Sequence, residues 1–150
     1  MVPEISLYLP NVPGQFSRVL KALASADVNI RGFSVDLGGA TSQLRLLFQD
    51  GAETERAVDA LRAVPYETVE RTLLLLSGPD EPGTLLRVAD TLREQGVNLD
   101  YGYVTLGQTE DGAVFFALKV DAEKAQLAVE CLKQQGFEDH DRIPVVIRRK

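Results

Sequence analysis

A single cysteine and a single histidine stand among the 150 residues, and each scarcity excludes a class of chemistry. With Cys131 alone no internal disulfide can form, which fits a reducing cytoplasm, the expected location. His140 has no cysteine or second histidine near it, so no zinc site is expected. It lies in the polar run Glu138-Asp-His-Asp-Arg142 and reads as a surface histidine among carboxylates. Cys131 falls beside the apolar face of the last helix, where a free thiol packs as a small hydrophobe. Long apolar runs are missing too: a stretch such as Leu73–Leu76 is far too short to span a bilayer. Met1 to Pro10 lacks the basic start and apolar core of a secretory signal. Phosphate-loop, zinc-protease and nucleophile-elbow motifs are absent, and neither a catalytic residue nor a cofactor is expected.

Positive charge is scarce as well. Sixteen Lys and Arg stand against 22 Asp and Glu, a net charge of -6, which argues against a nucleic-acid partner. The basic residues are scattered apart from Arg148, Arg149 and Lys150, which read as a solvated terminus. What is present is an ordinary globular composition, 45% hydrophobic and 25% charged, with no low-complexity segment.

The decisive feature is an internal repeat. Leu7-Tyr-Leu-Pro-Asn-Val-Pro-Gly14 returns as Leu76-Ser-Gly-Pro-Asp-Glu-Pro-Gly83. The same offset pairs Arg18 with Arg87, Val19 with Val88, Leu23 with Leu92, Val28-Asn29 with Val97-Asn98, and Leu37-Gly38 with Leu106-Gly107, without a gap. Chance does not keep both the turn residues and the helix face over such a run, so the chain is a duplication.

Each copy reads alike. Ile5, Leu7 and Leu9 alternate as in a half-buried strand, and Leu73 to Leu76 takes that place in the second copy. Phe16, Val19, Leu20 and Leu23, then Leu85, Val88, Ala89 and Leu92, form helical stripes that predict one face packed on a sheet. Val28 to Leu37 and Val97 to Leu106 are predicted second strands; Leu44, Leu46 and Phe48, and Val114 to Val120, predict the third. Ala57, Val58, Leu61 and Val64, and Ala125, Ala128, Val129 and Leu132, predict the second helix. Val69 to Arg71 and Ile143 to Ile147 are predicted to close the copies. The order is β-α-β-β-α-β twice: an α+β, ferredoxin-like split βαβ with antiparallel sheets, in modules 1–70 and 71–150. No Pro/Gly-rich linker separates them, and the direct junction predicts that the modules pack together.

The loop from first strand to first helix carries the chemistry. Pro10-Asn-Val-Pro-Gly14 sets Gly14 and Gln15 at a helix N-terminus, where unpaired N–H groups and the helix dipole suit a carboxylate. Gly14 lets a ligand approach the backbone, and Asn11 offers a donor and an acceptor. The second copy repeats the set with Asp80, Gly83 and Asn98, and the charge of Asp80 suits an ammonium better. The competing reading is plain turn and capping chemistry. Asn29 is expected at the start of the second strand, at the opposite end of the sheet from its own loop, and so in position to serve a site on another module.

Asn11-x-Pro-Gly14 followed by Val28-Asn29-Ile30, and Asp80-x-Pro-Gly83 followed by Gly96-Val97-Asn98-Leu99, resemble the ACT-domain family of small regulatory modules that bind amino acids. The chain is similar to stand-alone proteins made only of two such modules. The resemblance implies a ligand held between modules by the loop amides and the Asn or Asp side chain, with the strand Asn supplied by a partner. Carried over, the candidates are Asn11, Gly14, Asn29, Asp80, Gly83 and Asn98, flanked by Val12, Gln15, Ile30, Glu81, Thr84 and Leu99. Asn11 differs from Asp80, and Gln15 from Thr84, so the two sites need not share a ligand. The expectation is a non-catalytic amino-acid sensor that forms a homodimer, because four strands with helices on one face leave the other face in need of cover. A regulatory subunit acting in trans on a biosynthetic enzyme, of the acetolactate synthase type, is the alternative. An RNA-recognition motif would need a basic face and an acylphosphatase would need an arginine in the first loop; this chain has neither.

Overall fold

The computed structural model describes residues 1–107 and 109–145. Its elements run β1 (Val2–Pro10), α1 (Gln15–Ser25), β2 (Gly32–Gly38), β3 (Thr41–Leu47), α2 (Gly51–Leu61), β4 (Thr68–Gly78), α3 (Thr84–Glu94), β5 (Leu99–Thr105), β6 (Val114–Val120), α4 (Ala125–Gln134) and β7 (Glu138–Asp139). This is βαββαβ twice, with β4 serving as the last strand of the first copy and the first strand of the second, an α+β fold of ferredoxin type with antiparallel sheets. The chain divides into two compact units, one of residues Pro3–Arg71 and one of Met1–Val2 with the residues from Thr72 on, so the dividing line falls inside β4.

In the N-terminal unit β3 lies between β1 and β2, paired antiparallel to both, with Leu7 opposite Leu44 and Val35 opposite Leu44 from the other side. Ile5, Leu7, Leu9, Leu44, Leu46 and Phe48 thereby share one face, and Val19, Leu23, Ala57 and Leu61 from α1 and α2 pack on it. The C-terminal unit repeats this with Leu74, Leu76, Phe116, Leu118 and Val120 under Val88, Leu92, Ala128, Val129 and Leu132. Each buried aliphatic contributes on the order of 1.5–3 kcal/mol. The predicted helix stripes are narrower in fact: Phe16 and Leu85 are 37% and 57% exposed, and Ala89 is exposed. Both Phe16 and Leu85 sit in the first helical turn. Phe16 meets Phe33 of β2 instead. On the face turned from the helices Leu47, Leu73, Leu75, Phe115 and Ala117 are buried, and Arg45, 7% exposed, is held by Gln43 and Ser34 together with Asp36.

The second strands begin later than their β-branched residues predict, because a helix-terminating turn takes the first of them. After α1, Asp27 adopts φ 53° and the Val28 N–H donates to the Leu23 carbonyl at 3.0 Å. After α3, Gly96 (φ 61°) and Val97 N–H to Leu92 O (2.9 Å) repeat the arrangement; after α4, Gly136 (φ 86°) and Phe137 N–H to Leu132 O (3.1 Å) do so again. This is the Schellman closure, in which the apolar residue after the left-handed one tucks back onto the helix. Val28, Val97 and Phe137 are accordingly buried caps.

The last strand also departs from expectation. β7 is Glu138–Asp139, paired with Ser77 and Leu76, and the His140 N–H donates to the Leu75 carbonyl at 2.8 Å. Ile143 is fully buried but Ile143–Val145 form no strand; Pro144 has no N–H to give a ladder. Val146, Ile147 and the basic Arg148–Lys150 lie outside the described residues.

Lys133 on α4 pairs with Asp139 and holds the Asp139 carboxyl below its ordinary 3.8. A folded-state value below the unfolded one stabilises above about pH 4 and loses that contribution as the pH falls through the depressed value. Asp139→Asn should therefore be less stable than the parent protein near neutrality and converge with it in acid, as read from urea midpoints across that range.

Candidate functional site

Each unit delivers the start of a helix from the end of a strand through Pro-Gly. Gly14 takes φ 91°, ψ −15° and Gly83 takes φ 96°, ψ −10°, both in the left-handed region that favours glycine. No side chain caps α1 or α3, and neither has an acidic residue in its first turn. The contrast is α2, where Asp50 caps conventionally and accepts from the Glu53 N–H at 2.9 Å. The repeated loops thus leave α1 and α3 without a side-chain cap, as α4 also is, whereas Asp50 caps α2. The first backbone bond of α1 runs from the Arg18 N–H to Gly14 O (3.0 Å), and that of α3 from Arg87 to Gly83 (3.0 Å).

Around Gly14, the Asn11 N–H donates to Ala40 O (2.9 Å) and its Nδ2 to Gly39 O (3.3 Å), tying the loop to the β2–β3 turn. Val12 is exposed on the same loop, with its N–H bonded to Pro10 O. Gln15 opens α1 half-buried, and the Tyr66 hydroxyl donates to its Oε1. Tyr66 is a residue the sequence reading missed: it lies far along the chain, and no local pattern couples it to the loop.

Asn29 does not begin β2, as expected, but sits three residues before it, because the Schellman turn consumes Val28. Its N–H donates to Glu53 Oε1 at 3.1 Å, and its carboxamide makes no hydrogen bond to a described residue. Ile30 packs against the N-terminal core. Asn98 directly precedes β5, its Nδ2 donates to Asp100 Oδ1 (3.1 Å), and Leu99 opens that strand 41% exposed. The register separates these asparagines from their own loops. Gly32 lies opposite Leu47, as does Glu4, while Gly38 lies opposite Thr41, as does Pro10. Asn29 is thus at the Glu4 end and Gly14 beyond Pro10, about 20 Å apart along β1.

The C-terminal loop is built differently. Thr84 is buried and its Oγ1 donates to Pro79 O (2.8 Å); Glu81 pairs with Arg87 at 3.5 Å. The β5–β6 connection is longer than the β2–β3 turn. A cleft of about 390 Å³ opens there, lined by Ser77–Asp80, Thr109, Asp111–Ala113, Gly136 and Glu138. Thr109 and the Ala113 N–H hold the Asp111 carboxyl below its ordinary value. Its carboxylates form no cluster suited to a metal ion among the described residues.

His140 is not a surface histidine. It is half-buried, its Nε2 2.8 Å from Ser77 Oγ and its ring 5.1 Å from that of Phe115. The pairing of β7 with β4 draws it inward despite its acidic neighbours. Cys131 is half-buried on α4.

With two βαββαβ units, each carrying the open Pro-Gly helix start, the chain belongs to the ACT-domain family, whose model matches residues 4–66 and 72–137. The family comprises regulatory modules that bind amino acids. No curated protein sequence matches the chain. Among solved structures, protein BT0572 from Bacteroides thetaiotaomicron is similar at TM-score 0.80 and 19% identity, over 97% of this chain and 96% of that one. The ligand-free regulatory subunit of aspartate kinase from Thermus thermophilus follows at TM-score 0.63 and 19% identity, over 88% and 90%. That from Thermus flavus gives TM-score 0.61 at the same identity and coverage. At these identities the likeness establishes the fold. No helix among the described residues is long and apolar enough to cross a membrane.

A Cβ at Gly14 or Gly83 would meet nothing within 4 Å, so alanine there costs backbone strain alone. Gly14→Ala and Gly83→Ala should each lose about 1–2 kcal/mol in urea unfolding. An unchanged midpoint would mean that the turns relax out of the left-handed region.

Proposed function

We propose that this protein is a non-catalytic amino-acid sensor in which an open helix N-terminus of one chain grips the ligand and Asn29 or Asn98 of a second copy completes the site. The observation that carries this reading is the pair of uncapped helix starts, each behind a left-handed glycine, in a chain whose intervening helix is properly capped. Donor groups without a partner at the positive end of a helix dipole favour a carboxylate. Asn29 lies too far along β1 to close its own loop, which supports a homodimer. Ligand binding then stabilises the associated state by its higher affinity for that state, and the change in association is the regulatory signal. The Thermus aspartate kinase regulatory subunit is a precedent for this fold acting on an enzyme; co-purification of a biosynthetic enzyme with this protein would extend the reading to action in trans.

A thermal-shift panel of the common L-amino acids tests the proposal. An amino acid at 100 times its Kd should add about 2.7 kcal/mol and raise the melting temperature. Asn29→Ala should weaken that response while leaving the unliganded protein as stable as before, since its carboxamide has no hydrogen-bond partner among the described residues. A flat panel at millimolar concentrations would overturn the reading.

A further inference from the structure

β2 is an edge strand: β3 is its one neighbour among the described residues, and its outer row of N–H and C=O groups faces no other strand. Soluble proteins blunt such an edge with lysine, proline, a bulge or an unpaired charge. β2 carries none of these. It reads Gly-Phe-Ser-Val-Asp-Leu-Gly from Gly32 to Gly38, and its register with β3 runs without a shift from end to end. Its single charge, Asp36, is paired with Arg45. β5, the corresponding strand of the C-terminal unit, is instead interrupted by a bulge between Leu99 and Tyr101. β2 also exposes apolar side chains: Phe33 is 56% and Val35 45% exposed, and Phe16 of α1 extends the patch through its ring contact with Phe33.

The strand is self-complementary. Read in either direction from Val35, it has a polar residue, an apolar one and then glycine. In an antiparallel pair, residues directly opposite each other share a face of the sheet. A two-fold axis that keeps the helices of both copies on one side must therefore pass through a residue, because the side-chain period is two. An axis at Asp36 would set two carboxylates opposite each other. An axis at Ser34 would set Gly38 opposite residue 30, outside the strand. An axis at Val35 pairs the whole strand, sets Val35 against Val35, and brings the Ser34 hydroxyl of one copy to the Asp36 carboxylate of the other.

That register also accounts for the separation along β1. Asn29 lies as far before Val35 as Thr41 lies beyond it, so Asn29 of the second copy falls level with Thr41. This is the β2–β3 turn, whose Gly39 and Ala40 carbonyls hold Asn11. Resting on the homodimer of the sensor reading above, we infer that two copies of this chain join through β2. The occupant of the β2 edge is β2 of the second copy, antiparallel, with Val35 on the two-fold axis.

Cysteine cross-linking of the full-length chain in a Cys131→Ser background tests the register. Val35→Cys places two thiols opposite each other at a Cα separation of about 4.5–5.5 Å, which a disulfide spans. Mild oxidation should convert most of that variant to a covalent dimer. Phe33→Cys should stay uncross-linked, its two copies standing about 13 Å apart along the strands. Val35→Lys, at an exposed position, opposes two ammonium groups and should raise the dimer dissociation constant in sedimentation at least about tenfold, with an unchanged circular dichroism spectrum. No covalent dimer from Val35→Cys, one that forms only when Val104→Cys is also present, or an unchanged dimer in Val35→Lys would each overturn the strand assignment and leave the sensor reading intact. A parent protein that stays monomeric up to millimolar concentration would overturn the homodimer in both.

Discussion

A strand that ends at one edge of a sheet and must return as a helix across its face has to reverse direction within a few residues. Here the reversal is made by Pro-Gly, with the glycine at φ 91° or 96°. The rest of each unit depends on that turn. It sets the rotation of α1 and α3, so that Val19 and Leu23, or Val88 and Leu92, meet the sheet. It also fills the N-cap position with a residue that has no side chain to cap. A glycine chosen for its backbone freedom thus leaves α1 and α3 without a side-chain cap at their first turn.

The same economy acts at the other helix ends. Three helices close with an apolar residue folded back behind a left-handed one: Val28 after Asp27, Val97 after Gly96, Phe137 after Gly136. Val28 and Val97 are therefore retained in both copies for packing. Asn29 and Asn98 follow them with exposed side chains, the Asn98 amide bonded to Asp100.

Much of this was legible in the sequence. The repeat, the element order and both cores follow from periodicity, because burial on one face forces a period that the residues display. The loop residues were legible because Pro-Gly has a backbone meaning of its own. What escaped was non-local. The Tyr66–Gln15 bond joins distant positions, and His140 was read from its acidic neighbours although β7 carries it against Ser77 and Phe115. The final strand was misplaced because Ile143–Val145 is apolar, whereas the strand that pairs is the polar Glu138–Asp139, held by its backbone and by Lys133. Side-chain hydrophobicity reports burial, and a two-residue edge pairing needs none.

Duplication gives the chain two copies of one backbone device with divergent side chains. Asn11, Gln15 and Tyr66 surround one start with uncharged side chains, whereas Asp80, Thr84 and Phe137 stand at the other, beside a cleft that Asp80, Asp111 and Glu138 line. The most direct measurement of the central claim is amide chemical-shift mapping of the isotopically labelled protein during titration with the common L-amino acids. The account predicts that the backbone signals of Gly14, Gln15 and Asn29 move together and saturate with one of them. Shifts confined to the Asp80–Asp111 cleft, or none at the Gly14 loop, would contradict it.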